Sequence, residues 1–136
     1  MPNEPILVVD DNPMNLKLVR LMLVPEGYQV RTAGRAEEAM AVLQTFLPRL
    51  ILMDVQLPGI DGLELTRRLR LDPSFRDVII LAVTAYAMKS DEQRAMDAGC
   101  DGYIAKPVDT RSLPELVRAF LDGSARGKRI TAPPVM

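Results

Sequence analysis

The sequence has no histidine and only one cysteine among its 136 residues. Without histidine, the chain cannot build a serine–histidine–aspartate triad or a zinc site with histidine ligands. Cys100 has no second cysteine with which to form an intrachain disulfide, which is typical of proteins from a reducing compartment. These absences exclude two common classes of site chemistry and favour a cytoplasmic location.

Long apolar runs and an excess of charge of one sign are missing as well. No apolar stretch approaches the roughly 20 residues that a membrane helix requires. Residues 1–4 lack the basic and apolar regions of a signal peptide. The 17 basic residues nearly balance the 18 acidic residues, for a net charge of −1. We therefore expect neither nucleic acid nor a membrane surface among the partners of this chain.

The most informative stretch that is present is the run Leu-Ile-Leu-Met-Asp at residues 50–54. Pro48 precedes this run and a Pro-Gly turn follows it at residues 58–59. A short apolar run between turn signals predicts a strand buried on both faces, which is typical of parallel sheets. Ligands of such sheets bind just beyond the carboxyl ends of the strands. The run therefore places Asp54 where an open α/β sheet binds its ligands.

Strand patterns and helix patterns alternate along the chain as far as residue 121. Apolar or alternating runs predict strands over 6–9, 28–33, 50–54, 78–83 and 102–105. Helical spacing and caps predict helices over 13–24, 36–46, 63–71 and 113–121, with another from Ser90 to a Gly99 cap. This alternation predicts an α/β fold with a doubly wound, five-stranded parallel sheet, flavodoxin-like (βα)5, in strand order 2-1-3-4-5.

The chain is expected to form one domain with a core of its own. We assign residues 1–123 to this domain, since the last predicted helix ends beside Gly123. Residues 124–136 carry small, basic and proline residues without periodicity. That segment is expected to be a disordered tail or the start of a linker.

The first predicted helix presents two groups of apolar residues. Asn12 is its expected N-cap, with proline at the first helical position. Helical spacing directs three apolar residues toward the sheet, namely Leu18, Val19 and Met22. Met14 and Leu21 lie nearer the solvent margin. They are either ordinary half-buried helix residues or part of a docking surface.

Polar side chains follow four of the five predicted strands. Asp10 and Asp11 leave the first strand, Asp54 ends the third, Thr84 leaves the fourth and Lys106 leaves the fifth. Because the carboxyl ends of parallel strands share one edge, we expect these side chains to meet there. Three clustered carboxylates attract a hard cation such as Mg²⁺. A carboxylate can also act as a nucleophile toward phosphorus, provided that cations and donors neutralise the phosphoryl oxygens.

Taken singly, these residues have simpler explanations. An aspartate after a strand is usually a cap or a turn former, which is our interpretation of Asp61 and Asp109. We expect Asp109 or Thr110 to cap the last helix. A threonine after a strand usually bonds its own backbone. Only the combination of residue types at one edge of the sheet favours a site.

Four stretches together resemble the receiver domain of two-component response regulators. They are VVDDN at residues 8–12, LMDVQLPGIDG at 52–62, VTA at 83–85 and AGCDGYIAKP at 98–107. The resemblance spans residues 5–122 and is strongest for single-domain receivers and for receivers of hybrid histidine kinases. It implies a phospho-accepting signalling module. Such a module is not a general enzyme, since it catalyses only its own phosphorylation and dephosphorylation.

The resemblance implies a role for each polar residue around the third strand. Asp54 would accept a phosphoryl group from a histidine kinase or a histidine phosphotransfer protein. Asp10, Asp11, Asp54 and the backbone carbonyl of Gln56 would hold Mg²⁺. Lys106 would pair with the phosphoryl group. The peptide bond from Lys106 to the following proline would be cis, which only proline tolerates at low cost.

The resemblance also implies how the signal leaves the site. Thr84 would move to bond a phosphoryl oxygen, and the ring of Tyr103 would turn inward in response. The face formed by the fourth helix, the fifth strand and the fifth helix would then be read by a downstream protein. The side chains of Gln56 and Tyr86 stand beside the site, where family members vary. The receiver is expected to be a monomer or a weak, phosphorylation-dependent dimer.

Two alternative functions are compatible with an aspartate nucleophile. A haloacid-dehalogenase-like, Mg²⁺-dependent phosphohydrolase has Asp-x-Asp-x-Thr after its first strand, whereas residues 10–14 read Asp-Asp-Asn-Pro-Met. The chain is also short for a cap domain and a substrate pocket. A degenerate receiver that works only as a scaffold is the other alternative. The intact acidic residues, Thr84 and Lys106 argue against it.

Overall fold

The structure, a computed structural model, describes residues 4–84, 89–106 and 111–123, and for residues 89–91 it describes the backbone alone. Along these residues strands and helices alternate. The strands are β1 Pro5–Val9, β2 Gln29–Ala33, β3 Leu50–Asp54, β4 Ile79–Thr84 and β5 Gly102–Ala105. The helices are α1 Pro13–Leu23, α2 Ala36–Leu43, α3 Gly62–Arg70, α4 Lys89–Ala98 and α5 Leu113–Leu121. Single turns of 3₁₀ helix follow α1 at Val24–Glu26 and α3 at Pro73–Phe75.

All strand pairs in the sheet are parallel, and the strand order is β2-β1-β3-β4-β5. This confirms the predicted flavodoxin-like topology. The register aligns the strand ends: Asp54 at the end of β3 pairs with Val83, and Thr84 at the end of β4 pairs with Ala105. The residues that leave β1, β3, β4 and β5 therefore meet at one edge of the sheet.

Two apolar layers cover the two faces of the sheet. All five residues of β3 and all six of β4 are buried, as expected for central strands with helices on both sides. Alternate strand residues face opposite layers, so Ile51 and Met53 pack on the side of α2, α3 and α4. Leu50 and Leu52 pack on the side of α1 and α5. Asp54 is thereby fixed by a strand that is anchored on both faces.

Helix α1 begins as predicted, but one of its apolar residues is less buried than expected. The side chain of Asn12 caps the helix by accepting a hydrogen bond from the Met14 N–H at 2.9 Å. Val19 is buried, whereas Leu18 is 41% exposed, so the prediction that Leu18 packs on the sheet is wrong. Leu18 lines a cavity of about 380 Å³ between α1, α5 and the sheet instead of packing directly against the strands.

Two other helix predictions need correction. Helix α2 ends at Leu43 rather than at residue 46, and Phe46 is buried beyond the helix with the Arg31 guanidinium 5.1 Å from its ring centroid. Helix α5 has Ser112 at its N-cap position. The predicted capping residues Asp109 and Thr110 lie outside the described residues, as do Tyr86, Pro107 and the 124–136 segment.

An arginine joins several elements at the end of the sheet where β4 and β5 begin. The Arg70 guanidinium donates to the carbonyls of Val78 at 2.7 Å and Gly99 at 2.8 Å, and to the Asp101 carboxylate at 2.8 Å. The same Asp101 oxygen accepts the Ile80 N–H at 2.9 Å. This network fixes the end of α3 against the strands that carry Thr84 and Lys106. Among the described residues, no helix is long and apolar enough to cross a membrane.

Candidate metal centre

Three carboxylates converge where β1 and β3 end. Carboxylate oxygens of Asp10, Asp11 and Asp54 all lie within 4.8 Å of one another. Asp10 and Asp54 are buried, while Asp11 is exposed and faces solvent at the rim. Oxygen donors of this kind, gathered at an open edge, are the ligands that Mg²⁺ prefers, because this ion keeps several of its waters. The residues present therefore fit a magnesium ion.

Asp54 is the most enclosed of the three, with an exposed fraction of 1%. Its Oδ1 accepts a hydrogen bond from the Gln56 N–H at 3.0 Å, and its Oδ2 accepts one from the Lys106 ammonium at 3.1 Å. Burial raises the pKa of the Asp54 carboxyl, and the Asp10 charge raises it further. The Gln56 N–H and Lys106 oppose this shift without cancelling it, so the net direction is upward.

Lys106 supplies the positive charge that lies against this cluster. Its ammonium nitrogen is 3.1 Å from Asp54 Oδ2 and 3.5 Å from Asp10 Oδ2. Its backbone N–H donates to the Thr84 carbonyl at 2.7 Å, which ties the end of β5 to the end of β4. Burial alone lowers the pKa of Lys106, but the two carboxylates raise it by more, so the net shift is upward. Lys106 is therefore held in its charged form.

Asp10 accepts hydrogen bonds from two asparagines, and neither contact was predicted from the sequence. Its Oδ1 accepts the Asn12 N–H at 2.9 Å, and its Oδ2 accepts the Asn15 amide at 3.3 Å. Asn15 lies on the first turn of α1, three residues after the Asn12 cap. The available signal was its position, since a polar residue on the first turn of a helix that follows a strand faces the same edge as the strand end.

The segment between β3 and α3 approaches Asp54 very closely. The Gly62 N–H donates to the Val55 carbonyl at 3.0 Å, and the Val55 N–H donates to the Val83 carbonyl at 2.9 Å. A Cβ atom on Gly62 would collide with the backbone carbonyl oxygen of Asp54. Asp61 caps α3 by accepting the Glu64 N–H at 2.8 Å, as predicted. Glycine at position 62 therefore allows α3 to begin directly against the backbone of Asp54.

Thr84 and Tyr103 lie on the neighbouring strands β4 and β5. Thr84 is 2% exposed at the end of β4, and Tyr103 is 3% exposed within β5. The ring of Tyr103 packs in the layer on the side of α3 and α4, so it is turned inward in this structure. Cys100 lies in the same layer, where burial raises the pKa of its thiol to about 11. At neutral pH this cysteine is a poor nucleophile.

The arrangement is that of a buried carboxylate with two further carboxylates and one ammonium beside it. The family model of the response regulator receiver domain matches residues 6–118. The chain belongs to the response regulator receiver family. The polar-differentiation response regulator DivK of Brucella anthropi is 39% identical to this receiver over 116 residues, which cover 85% of this chain and 94% of that protein.

Solved receivers have the same fold. The chemotaxis response regulator CheY4 of Vibrio cholerae matches with a TM-score of 0.81 at 27% identity, over 85% of this chain and 97% of that chain. The receiver domain of a sensor histidine kinase from Pseudomonas aeruginosa, solved with magnesium in its active site cleft, matches with a TM-score of 0.80 at 32% identity. That match covers 88% of this chain and 98% of that chain. These matches confirm the receiver family and do not favour a phosphohydrolase.

Proposed function

We propose that this receiver takes a phosphoryl group onto the Asp54 carboxylate and thereby switches its binding to partner proteins. The supporting observation is the environment of Asp54. It is a buried carboxylate at the end of a central strand, with the Lys106 ammonium 3.1 Å from Oδ2. A carboxylate oxygen and a positive charge therefore lie together at the open edge of the sheet, which supports a nucleophilic role for Asp54. Phosphoryl transfer needs little more than such positioning and charge neutralisation.

Magnesium belongs to the same proposal. Asp10, Asp11, Asp54 and the backbone carbonyl of Gln56 would hold the ion. When bound, it neutralises charge on the carboxylates and on the phosphoryl oxygens. The clustered carboxylate oxygens support this assignment, since they lie within 4.8 Å of one another.

The chain's own residues would act in a simple displacement. An Asp54 oxygen attacks the phosphorus of a phosphohistidine on the partner, and the phosphorus–nitrogen bond breaks as the new oxygen–phosphorus bond forms. The electron pair returns to the imidazole, which regains a proton from water. Lys106 pairs with the transferred oxygens and the Thr84 hydroxyl donates to one of them. Hydrolysis by water later releases phosphate and restores the carboxylate, so the receiver acts on no substrate but itself.

The phosphodonor would be a histidine kinase or a histidine phosphotransfer protein. We assign its docking surface to the α1 stripe, which we define as Met14, Leu18 and Leu21. These residues are 71%, 41% and 64% exposed and recur at helical spacing on α1. Helix α1 begins directly after the loop that carries Asp10 and Asp11, so a helix docked on the stripe would bring its histidine toward Asp54.

Phosphorylation would change a surface on the side of the site opposite to the α1 stripe. We propose that Thr84 and Tyr103 couple phosphorylation to the face formed by α4, β5 and α5. A downstream protein would read this face through contacts that differ between the two states. The receiver would act as a monomer or as a weak dimer when phosphorylated. A cytoplasmic location, favoured by the lone cysteine, stays a prediction.

A phosphorylation assay tests this proposal. The receiver is incubated with acetyl phosphate, with and without Mg²⁺, and its intact mass is measured. We expect one phosphoryl group per chain when Mg²⁺ is present. Removing the metal, or substituting Asp11→Ala, should abolish the addition. Turnover of small phosphomonoesters by the wild-type protein would instead support a phosphohydrolase.

A further inference from the structure

The Asp10 carboxylate is held by donors from three directions. The Asn12 N–H donates to Oδ1 at 2.9 Å. The Asn15 amide donates to Oδ2 at 3.3 Å, and the Lys106 ammonium lies 3.5 Å from that same oxygen. Of the two side chains that touch Oδ2, one is a charged group shared with Asp54, and the other is a neutral amide that belongs to α1.

The two donors on Asp10 Oδ2 differ in their other contacts. Lys106 lies nearer to Asp54 than to Asp10, at 3.1 Å against 3.5 Å. Its single charge would follow a phosphoryl group carried by Asp54, which would weaken its hold on Asp10. Asn15 carries no charge and sits on a helix turn fixed by the Asn12 cap and by Pro13. Its contact with Asp10 does not depend on where Lys106 points.

We propose that Asn15 is a positioning residue for Asp10, and that its amide keeps this carboxylate oriented for Mg²⁺ when Lys106 turns to the phosphoryl group. An ionised carboxylate only accepts hydrogen bonds, so the amide N–H₂ of Asn15 must face Asp10. Among the contacts of the described residues, Asn15 donates to Asp10 and not to the proposed acceptor Asp54. The inference rests on the proposed magnesium site and adds a residue outside its ligand set.

The expected effect is on metal affinity. Partners that orient a metal ligand typically change affinity by roughly 10- to 100-fold when they are removed. The 3.3 Å contact is long for a hydrogen bond, and the Asn12 N–H also holds Asp10. We therefore expect the lower end of this range, about tenfold.

The test compares two asparagines of the same turn. Asn15→Leu removes the amide at similar size, and leucine suits the apolar cavity that Asn15 lines. Asn12→Ala is the matched control, because it removes the helix cap while its backbone N–H still donates to Asp10. The dissociation constant for Mg²⁺ is measured by calorimetry on the metal-free proteins, and melting temperature is measured without Mg²⁺.

We expect Asn15→Leu to raise the Mg²⁺ dissociation constant about tenfold with little change in melting temperature. Asn12→Ala should lower the melting temperature and raise the dissociation constant by a much smaller factor than Asn15→Leu does. Asn15→Ala serves as the second variant where leucine disturbs folding. An unchanged dissociation constant for a folded Asn15 variant overturns the inference alone. Failure of the wild-type protein to bind Mg²⁺ overturns the proposed metal site as well.

A Lys106→Ala background tests the second half of the inference. With the ammonium removed, Asn15 is the side chain left on Asp10 Oδ2 among the contacts described above. Asn15→Leu should then raise the Mg²⁺ dissociation constant by a larger factor than in the wild-type background. An equal or smaller factor contradicts the idea that Asn15 takes over from Lys106.

Discussion

The Lys106 ammonium lies 3.1 Å from Oδ2 of Asp54 and 3.5 Å from Oδ2 of Asp10, so one lysine serves two buried carboxylates. Lys106 is 21% exposed, whereas the two carboxylate side chains are 2% and 9% exposed. Because the two carboxylates are buried close together, the ammonium offsets part of their mutual repulsion. The same closeness makes them suitable for a divalent cation.

We predict that Lys106→Met destabilises the metal-free protein at pH 7 by about 3 kcal/mol, since removing one partner leaves buried charges uncompensated. The folded-state pKa of Lys106 is raised, so its stabilisation is fully present below the pKa of an unfolded lysine. It is lost as pH rises through the higher folded pKa. Urea unfolding of both proteins from pH 7 to 12 checks this: the difference in unfolding free energy should be constant up to about pH 10 and should narrow above it. A difference in unfolding free energy that stays constant up to the highest pH would contradict this prediction.

Asp54→Asn should stabilise the metal-free protein at neutral pH. Burial raises the pKa of Asp54, so the stability that its protonated form contributes is present below the unfolded pKa and lost as pH rises through the folded pKa. Each unit of upward shift corresponds to about 1.4 kcal/mol. Melting temperatures of both proteins in a chelator, from pH 3.5 to 7, should diverge as pH rises. Millimolar Mg²⁺ should stabilise the wild type more than the variant. Parallel curves would mean that ionisation of Asp54 does not destabilise the metal-free protein.

Gly62→Ala should destabilise the receiver by roughly 1–3 kcal/mol, as overpacking does. The added Cβ would collide with the Asp54 carbonyl oxygen, which is part of a rigid central strand. Because Asp54 would have to move, phosphorylation by acetyl phosphate should slow as well. Gly34→Ala is the control, since its Cβ meets chiefly the end of the Glu38 side chain, 3.3 Å away. Equal effects of the two substitutions on denaturant midpoint and labelling rate would contradict the close approach.

Substitutions in the α1 stripe should separate two kinds of phosphodonor. The double variant with Met14→Ala and Leu21→Ala should slow transfer from a phosphorylated histidine protein about tenfold. Each substitution removes apolar area that the docked helix would bury. The double variant should keep the acetyl phosphate rate. Leu71→Ala is the matched control, because Leu71 is 84% exposed and follows α3 rather than lying on α1. If the control slows transfer equally, docking does not use the stripe.

The fold was largely predictable because the strands are short apolar runs between turn signals. The bounds of β5 and α5 agree with prediction to the residue. Helix α2 was predicted too long because Phe46 continues the apolar pattern, although its ring packs from a turn. The burial of Leu18 was predicted wrongly. Periodicity fixes the direction of a side chain, whereas the cavity that Leu18 lines depends on how α5 packs against α1 and the sheet.

The site was predictable in its residue types and in its location. Strand order alone brings Asp10, Asp54 and Lys106 to one edge of the sheet. The contact from Asn15 to Asp10 was missed, because it depends on the angle at which α1 leaves β1. The position of Asn15 on the first turn of α1 indicates which edge of the sheet it faces, but that angle, a tertiary property, decides whether its amide reaches Asp10.

The central claim, that Asp54 is the acceptor, is tested most directly by locating the modified residue. The receiver is phosphorylated with acetyl phosphate and Mg²⁺ and then treated with borohydride, which reduces an aspartyl phosphate to homoserine. Peptide mass spectrometry then identifies the reduced position. We predict homoserine at position 54, and none anywhere in Asp54→Asn treated in the same way. Homoserine at position 10 or 11, or equal labelling of the Asp54→Asn protein, would contradict the account.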